Sequence, residues 1–189
     1  MSTLDDIAKQ IEGQRQPPVE LWTPDHRGSI DIEIDANGIW YHEGGQIHRA
    51  GLVQLFSSIL WFEDGQHYLV TPTEKLAIQV QDVPFVIQSA EFIENHWVVT
   101  TNTQDRLIVG EQHPVMLRRY QGQDLPYVNV RYDLWARVSR AVYFQWVSEG
   151  LNSEGLNSEG LACEGLENDA GGPPTIYSGS YKIPLAVSE

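Results

Sequence analysis

Arg137 and Arg140 are the residues of this chain whose type and spacing most invite chemistry. They stand three apart within Leu134–Ser148, a stretch whose apolar spacing reads as a helix opened by Asp133, and so they share one face. The rest of that helix is nearly all apolar, and a buried guanidinium without an acceptor is very costly, so both need anionic partners. Asp133, four residues before Arg137, is a local acceptor, Glu74 and Asp82 are distant ones, and an anionic ligand is the alternative. Arg49 and Arg131, each just ahead of an expected helix, extend the same cationic set. Arg49 would sit at the helix end that disfavours cations, which implies a carboxylate partner of its own.

A second cluster lies in Thr71-Pro72-Thr73-Glu74-Lys75, a turn that sets an acid beside a lysine at a strand junction. Glu74 and Lys75 can contact a ligand from the rim of a groove, or they can be solvated and weakly paired. The six tryptophans read mostly as core, and Trp40, beside Tyr41, can alternatively line such a groove.

Other catalytic and metal-binding patterns are missing. The six histidines (26, 42, 48, 67, 96 and 113) show no metal-ligand spacing, although His42 and His48 flank one turn, so no metal is expected. Cys163 lies in an acidic stretch that raises a thiol pKa and offers no base, which disfavours a nucleophile. Asp31 and Glu33 alternate with isoleucines along a strand and read as a solvated face rather than a glycosidase pair. There is no phosphate-binding loop, dinucleotide fingerprint or nucleophile elbow, and no cofactor is expected.

The 189 residues carry 26 acids against 12 bases, a formal charge of −14. That charge argues against non-specific nucleic-acid or anionic-membrane contact. Five arginines (118, 119, 131, 137 and 140) nevertheless fall in one short stretch containing only Asp124 and Asp133 as acids. Arginine suits planar, bidentate recognition of anions, which makes this stretch the main electrostatic anomaly. A single cysteine excludes an internal disulfide, no run approaches ~20 apolar residues, and Met1–Gln16 reads as polar and amphipathic rather than as a secretion leader. The expected setting is the cytoplasm.

The elements that must position these side chains are legible from periodicity. An N-terminal helix is expected within residues 1–16, with Leu4, Ile7, Ala8 and Ile11 as its stripe. Ser29–Asp35 alternates isoleucine with acid as a half-buried strand, and Asn37-Gly38 predicts a hairpin back through Ile39–His42. Arg49–Phe62 has helical period, Asp64-Gly65 turns the chain, and strands are expected at Gln66–Thr71 and Lys75–Val80. Further strands are expected at Phe85–Glu91, His96–Thr101, Arg106–Val109, Val115–Tyr120 and Tyr127–Tyr132, before the long helix that Gly150 should stop. Strands followed by a helix thus occur twice, which suggests a duplication by element order rather than by residue identity. Residues 149–168 repeat Glu-Gly-Leu-x-x four times and read as an acidic loop, and Thr175–Leu185 reads as a final strand.

Several blocks together resemble the bacterial domain-of-unknown-function 1285 family: PPVELWTP and GSIDIEI (Pro17–Ile34), GIWYHEGGQIHR (Gly38–Arg49), LVQLFSSIL (Leu52–Leu60), YLVTPTEKLAIQVQDVPF (Tyr68–Phe85), VNVRYDLWARVSRAVYF (Val128–Phe144) and YSGSYKIPL (Tyr177–Leu185). The resemblance implies an α+β fold of two structurally related β-rich subdomains, the second loosely similar to pleckstrin-homology domains. It implies a signalling or partner-binding role with a site between the subdomains, and no established activity. The repeat departs from the family pattern by lengthening the link to the last strand.

The resulting expectation is a non-enzymatic binding module with a first subdomain at 17–82 and a second at 83–189. An arginine-containing groove (Arg49, Arg131, Arg137 and Arg140, with Trp40, Asp82, Glu74 and Lys75) would take a protein segment or an anionic small ligand. The alternative is an enzyme using Glu74 as general base on a small anionic substrate.

Overall fold

A computed structural model describes residues 17–156 and 175–185. The expected N-terminal helix, Cys163 and the part of the acidic repeat beyond Leu156 lie outside the described residues. The chain divides into two compact units. Among the described residues the first holds 17–86, Asn102–Asp105 and Val130–Ala136, and the second holds Ile87–Thr101, Arg106–Asn129, 137–156 and 175–185.

Isoleucine alternation and positive-φ turns build the first sheet. A 3₁₀ turn at Val19–Leu21 leads to β1 (His26–Ile34), whose Ile32 and Ile34 are fully buried. The chain reverses at Asn37-Gly38 into β2 (Trp40–His42), continues into the short β3 (Gly45–Gln46), and enters helix α1 (Ala50–Ser58). Strands β4 (Leu60–Glu63), β5 (Gln66–Val70) and β6 (Glu74–Val80) then form an antiparallel meander. The sheet runs β3-β2-β1-β6-β5-β4, and its two halves join through the parallel pair β1 and β6. Trp40, Phe56, Ile59, Leu60 and Leu69 fill the core with the β1 isoleucines.

Helix α1 is shorter than the Arg49–Phe62 expected. The Ser57 and Ser58 hydroxyls donate back to the carbonyls of Gln54 (2.8 Å) and Leu55 (2.7 Å), so they compete with further helix. Beyond Ile59 the aromatic run Trp61-Phe62 pairs with β5, opposite Tyr68 and His67.

The Asn37-Gly38 turn is fixed from both sides. Asp35 Oδ1 accepts the amides of Asn37 (2.8 Å) and Ile39 (2.9 Å), and Gly38 has φ +76°, where a side chain is strained. A Cβ there would also lie 2.5 Å from Asn102 Nδ2, because Asn102 donates to the Gly38 carbonyl at 2.9 Å.

The second sheet is built from β7 (Phe85–Ile93), β8 (His96–Thr101), β9 (Arg106–Ile108), β10 (Val115–Tyr120), β11 (Gln123–Arg131) and β12 (Leu134–Val138), in the order β10-β11-β12-β7-β8-β9. Read from the other edge, this is the permutation of the first sheet, third-second-first-sixth-fifth-fourth. The duplication suggested by element order is therefore present in the strand order. The helices break it: α1 follows the third strand of its set, whereas α2 (Arg140–Leu156) follows the sixth. Two related β-rich subdomains with few helices make this an α+β fold.

Three sequence expectations fail here. Leu134–Val138 is strand β12 rather than the start of the long helix. Four of its five residues are buried, and a short strand apolar on both faces carries no period to separate it from a buried helix. The helix begins at Arg140, after Ser139, and runs through Gly150 to Leu156 instead of stopping. The expected final strand is a hairpin, β13 (Thr175–Ser178) and β14 (Tyr181–Pro184), turned at Gly179 with φ +59°. Its strand β13 rests against α2 and β8. Ser178 Oγ, at a residue 2% exposed, accepts the Trp97 amide (3.0 Å) and donates to the Val109 carbonyl (2.6 Å).

Candidate functional site

The parallel register of β1 and β6 puts Arg27 directly opposite Lys75. In-register neighbours in a sheet project to the same side, and like charges so placed are destabilising. Lys75 is only 7% exposed. Its Nζ lies 4.4 Å from the centre of the Tyr68 ring and forms an ion pair with Glu63, whose carboxylate is about half exposed. Loss of water and then the nearby Arg27 guanidinium pull the Lys75 ammonium below the usual lysine range. The guanidinium of Arg27 makes no hydrogen bond or ion pair among the described residues.

These two cations line a half-open cavity of about 280 Å³ in the first unit. Trp22, Trp61, Val19 and Val70 supply its apolar walls, and Glu20 and Glu63 its acids. Both acids are engaged: Glu63 holds Lys75, and Glu20 accepts from the Tyr132 hydroxyl. That hydrogen bond holds the Glu20 carboxyl below the usual range, while burial and then the same bond raise the Tyr132 phenol. Tyr132 also packs on Trp61 at 5.0 Å between centroids with the rings tilted by 52°, so the wall and the acid share one support. The Thr71-Pro72-Thr73-Glu74 turn shapes the entry to β6: Thr71 Oγ1 accepts the amides of Thr73 (3.3 Å) and Glu74 (3.0 Å).

Of the residues singled out from sequence, Lys75 alone lines this cavity. Glu74, its neighbour on the strand, is half-buried and absent from the lining, as is Asp82. Trp40 is 1% exposed and packs on Phe56 at 6.3 Å, so it belongs to the core and presents no groove face. Arg49 is exposed at the N-cap of α1 and makes no ion pair among the described residues. Arg131 donates to the Ser57 carbonyl at the end of α1, lies 3.9 Å from Asp105, and stacks over Phe85. It thus serves the carbonyl end of a helix, where a cation is favoured, and burial lowers its pKa. Arg137 and Arg140 do not share a helix face, because Arg137 is in β12 and Arg140 opens α2. Arg137 stacks over Tyr120 (4.6 Å) and Arg140 over Phe144 (5.3 Å), both within the second unit.

Arg27, Trp22, Trp61 and Glu63 were missed. Arg27 precedes the expected strand start at Ser29, and only the non-local β1–β6 register brings it to Lys75. The second unit has its own cavity of about 500 Å³, lined in part by His96, Arg106, His113 and Tyr181. The Nδ1 atoms of His96 and His113 face the carbonyls of Glu94 (2.8 Å) and Asn129 (3.0 Å). Among the described residues no group of three or more His, Cys, Asp or Glu is placed to hold a metal ion, and no helix is long and apolar enough to cross a membrane.

The sequence matches two family descriptions: "Domain of unknown function (DUF1285), N-terminal domain" over residues 17–83, and "Protein of unknown function (DUF1285), C-terminal domain" over residues 84–166. The chain belongs to the DUF1285 family. A crystal structure of a DUF1285 family protein from Silicibacter pomeroyi DSS-3 is similar, with 35% identity and a TM-score of 0.74, over 78% of this chain and 84% of that one. A second, from Shewanella baltica OS155, has 29% identity and a TM-score of 0.52, over 62% of this chain and 91% of that one. No curated protein matches. The family descriptions carry no activity.

Proposed function

We propose that this DUF1285 protein is a non-enzymatic binding module whose first unit takes an anionic group, from a small ligand or a protein segment, at Arg27 and Lys75. One observation carries the reading: two cations stand opposite each other in register, one buried, and both line a cavity. Glu63 pairs with Lys75, and Glu20, although it stays ionised, is held by the Tyr132 hydroxyl and makes no ion pair with Arg27, so the Arg27 guanidinium keeps its donors for a ligand. An anion there relieves the repulsion that the register imposes. The reading with Glu74 as general base gains nothing from this geometry, since Glu74 does not line the cavity.

The test compares wild-type protein with Arg27→Gln and Lys75→Met in thermal unfolding at rising acetate or sulfate. The wild-type midpoint should climb with anion concentration, as expected when a ligand binds only the folded state, and the variants should respond less. Lys75→Met removes a desolvated charge and its repulsion by Arg27 but also the Glu63 ion pair and the contact with Tyr68, so the anion-free midpoint should change little. Equal anion responses in all three proteins would sink the proposal.

A further inference from the structure

The cavity says more about its ligand than the sign of its charge. Its free cation is an arginine, whose planar fork matches a carboxylate through two parallel hydrogen bonds, whereas lysine acts as a point charge. Its walls include two tryptophans, and Trp61 packs against the Tyr132 ring. Rigid aromatic walls favour a flat apolar group, since stacking adds to area burial and little side-chain entropy is lost. A volume of about 280 Å³ is small, at the lower edge of the ~300–1,000 Å³ typical of ligand cavities, and suits a group of single-ring size. Each acid already has a partner, Glu63 the Lys75 ammonium and Glu20 the Tyr132 hydroxyl, which leaves the Arg27 donors as the polar contacts without one.

We infer that the first-unit cavity selects a monocarboxylate bearing a flat apolar group, its carboxylate on the Arg27 fork and its ring against Trp22 and Trp61. The inference rests on the anion-binding reading above and narrows it. Two sources share this chemistry: a free aromatic acid and the C-terminal carboxylate of a chain ending in an aromatic residue.

Phenylacetate, acetate, sulfate and the neutral phenylacetamide serve as probes, titrated into the full chain and read by calorimetry and tryptophan fluorescence. Phenylacetate should bind about tenfold or more tightly than acetate, the gain expected from burying a ring. Phenylacetamide should lose that affinity, Arg27→Gln should abolish the preference for the acid over the amide, and Trp61→Phe should remove most of the fluorescence change while preserving the circular dichroism spectrum. A peptide ending in phenylalanine, with free or amidated carboxyl, separates the sources: binding of the free-carboxyl peptide assigns a chain terminus, and binding of phenylacetate alone assigns a small acid. If acetate or sulfate binds as tightly as phenylacetate through Arg27, the aromatic selectivity is wrong and the anion site stands. If phenylacetamide binds as well as phenylacetate, the site is only apolar. If no probe distinguishes wild type from Arg27→Gln, both the inference and the anion-binding reading fail.

Discussion

Asn102 provides the sharpest test of how the first unit is held together. Its Oδ1 accepts the Val86 amide at 3.0 Å, its Nδ2 donates to the Gly38 carbonyl at 2.9 Å, and its own amide donates to the Val86 carbonyl at 2.9 Å. Asn102→Ala keeps the backbone bond and removes both side-chain bonds. Gly38 is buried, so its carbonyl loses a partner that water does not readily replace, while Val86 is half-buried and its amide can be partly rehydrated. Each stranded group costs about 1–3 kcal/mol, and partial hydration of one brings the sum to about 2–3 kcal/mol. Urea unfolding followed by circular dichroism should show that loss as a lower midpoint with an unchanged slope. Asn102→Asp is the discriminating variant. It retains the acceptor for Val86 but turns an oxygen toward the Gly38 carbonyl, so at neutral pH it should be at least as damaging as alanine. That repulsion raises the folded-state carboxyl pKa above its unfolded value of about 3.9. The folded state then holds the proton more tightly, and the deficit against wild type should shrink as pH falls through the raised pKa. A loss below about 0.5 kcal/mol for alanine, or an aspartate variant equal to wild type at pH 7, would refute the clamp.

His67 and Ser178 give two further expectations. Burial lowers the His67 pKa from 6.5 to about 4, with Asp133 opposing the shift. Between those values the unfolded chain takes up a proton that the folded protein refuses, so stability is lost as pH falls from about 6.5 to 4. The full shift corresponds to about 3 kcal/mol, and residual solvent access reduces it to about 2 kcal/mol. Phe62 packs on the His67 ring at 4.7 Å, so His67→Phe should keep the packing and flatten that part of the pH profile; an unchanged slope in the variant would locate the effect elsewhere. Ser178→Ala strands the Trp97 amide and the Val109 carbonyl in a buried site and should cost about 2–3 kcal/mol by denaturant unfolding. Hydrogen exchange should show β8 and the β13–β14 hairpin loosening together, and protection unchanged in either would count against the link.

Much of the local structure was legible because it is written in neighbouring residues. Ile30, Ile32 and Ile34 alternate on β1, Asn37-Gly38 and Asp64-Gly65 turn the chain where expected, and Thr71 organises the approach to β6. What misled was the absence of a period. Leu134-Trp135-Ala136-Arg137-Val138 is buried on both faces, and the apolar stretch that follows it really is helical, so the two merged into one element. Read as one helix, the stretch sets Arg137 and Arg140 on one face, whereas strand and helix separate them. Trp40 next to Tyr41 reads from sequence as core with a groove wall as the alternative, and its packing against Phe56 places it in the core.

Sequence alone carries the family, the α+β class and the paired strand sets, and it marks Lys75 as a cation at a strand junction. Tertiary structure alone decided what Lys75 faces. The register of β1 against β6 joins residues nearly fifty positions apart, and no local propensity encodes which residue of one strand lies opposite which of the other. That register sets Arg27 beside Lys75 at the cavity, while the pairing of β4 and β5 onto β6 brings Glu63 to the ammonium.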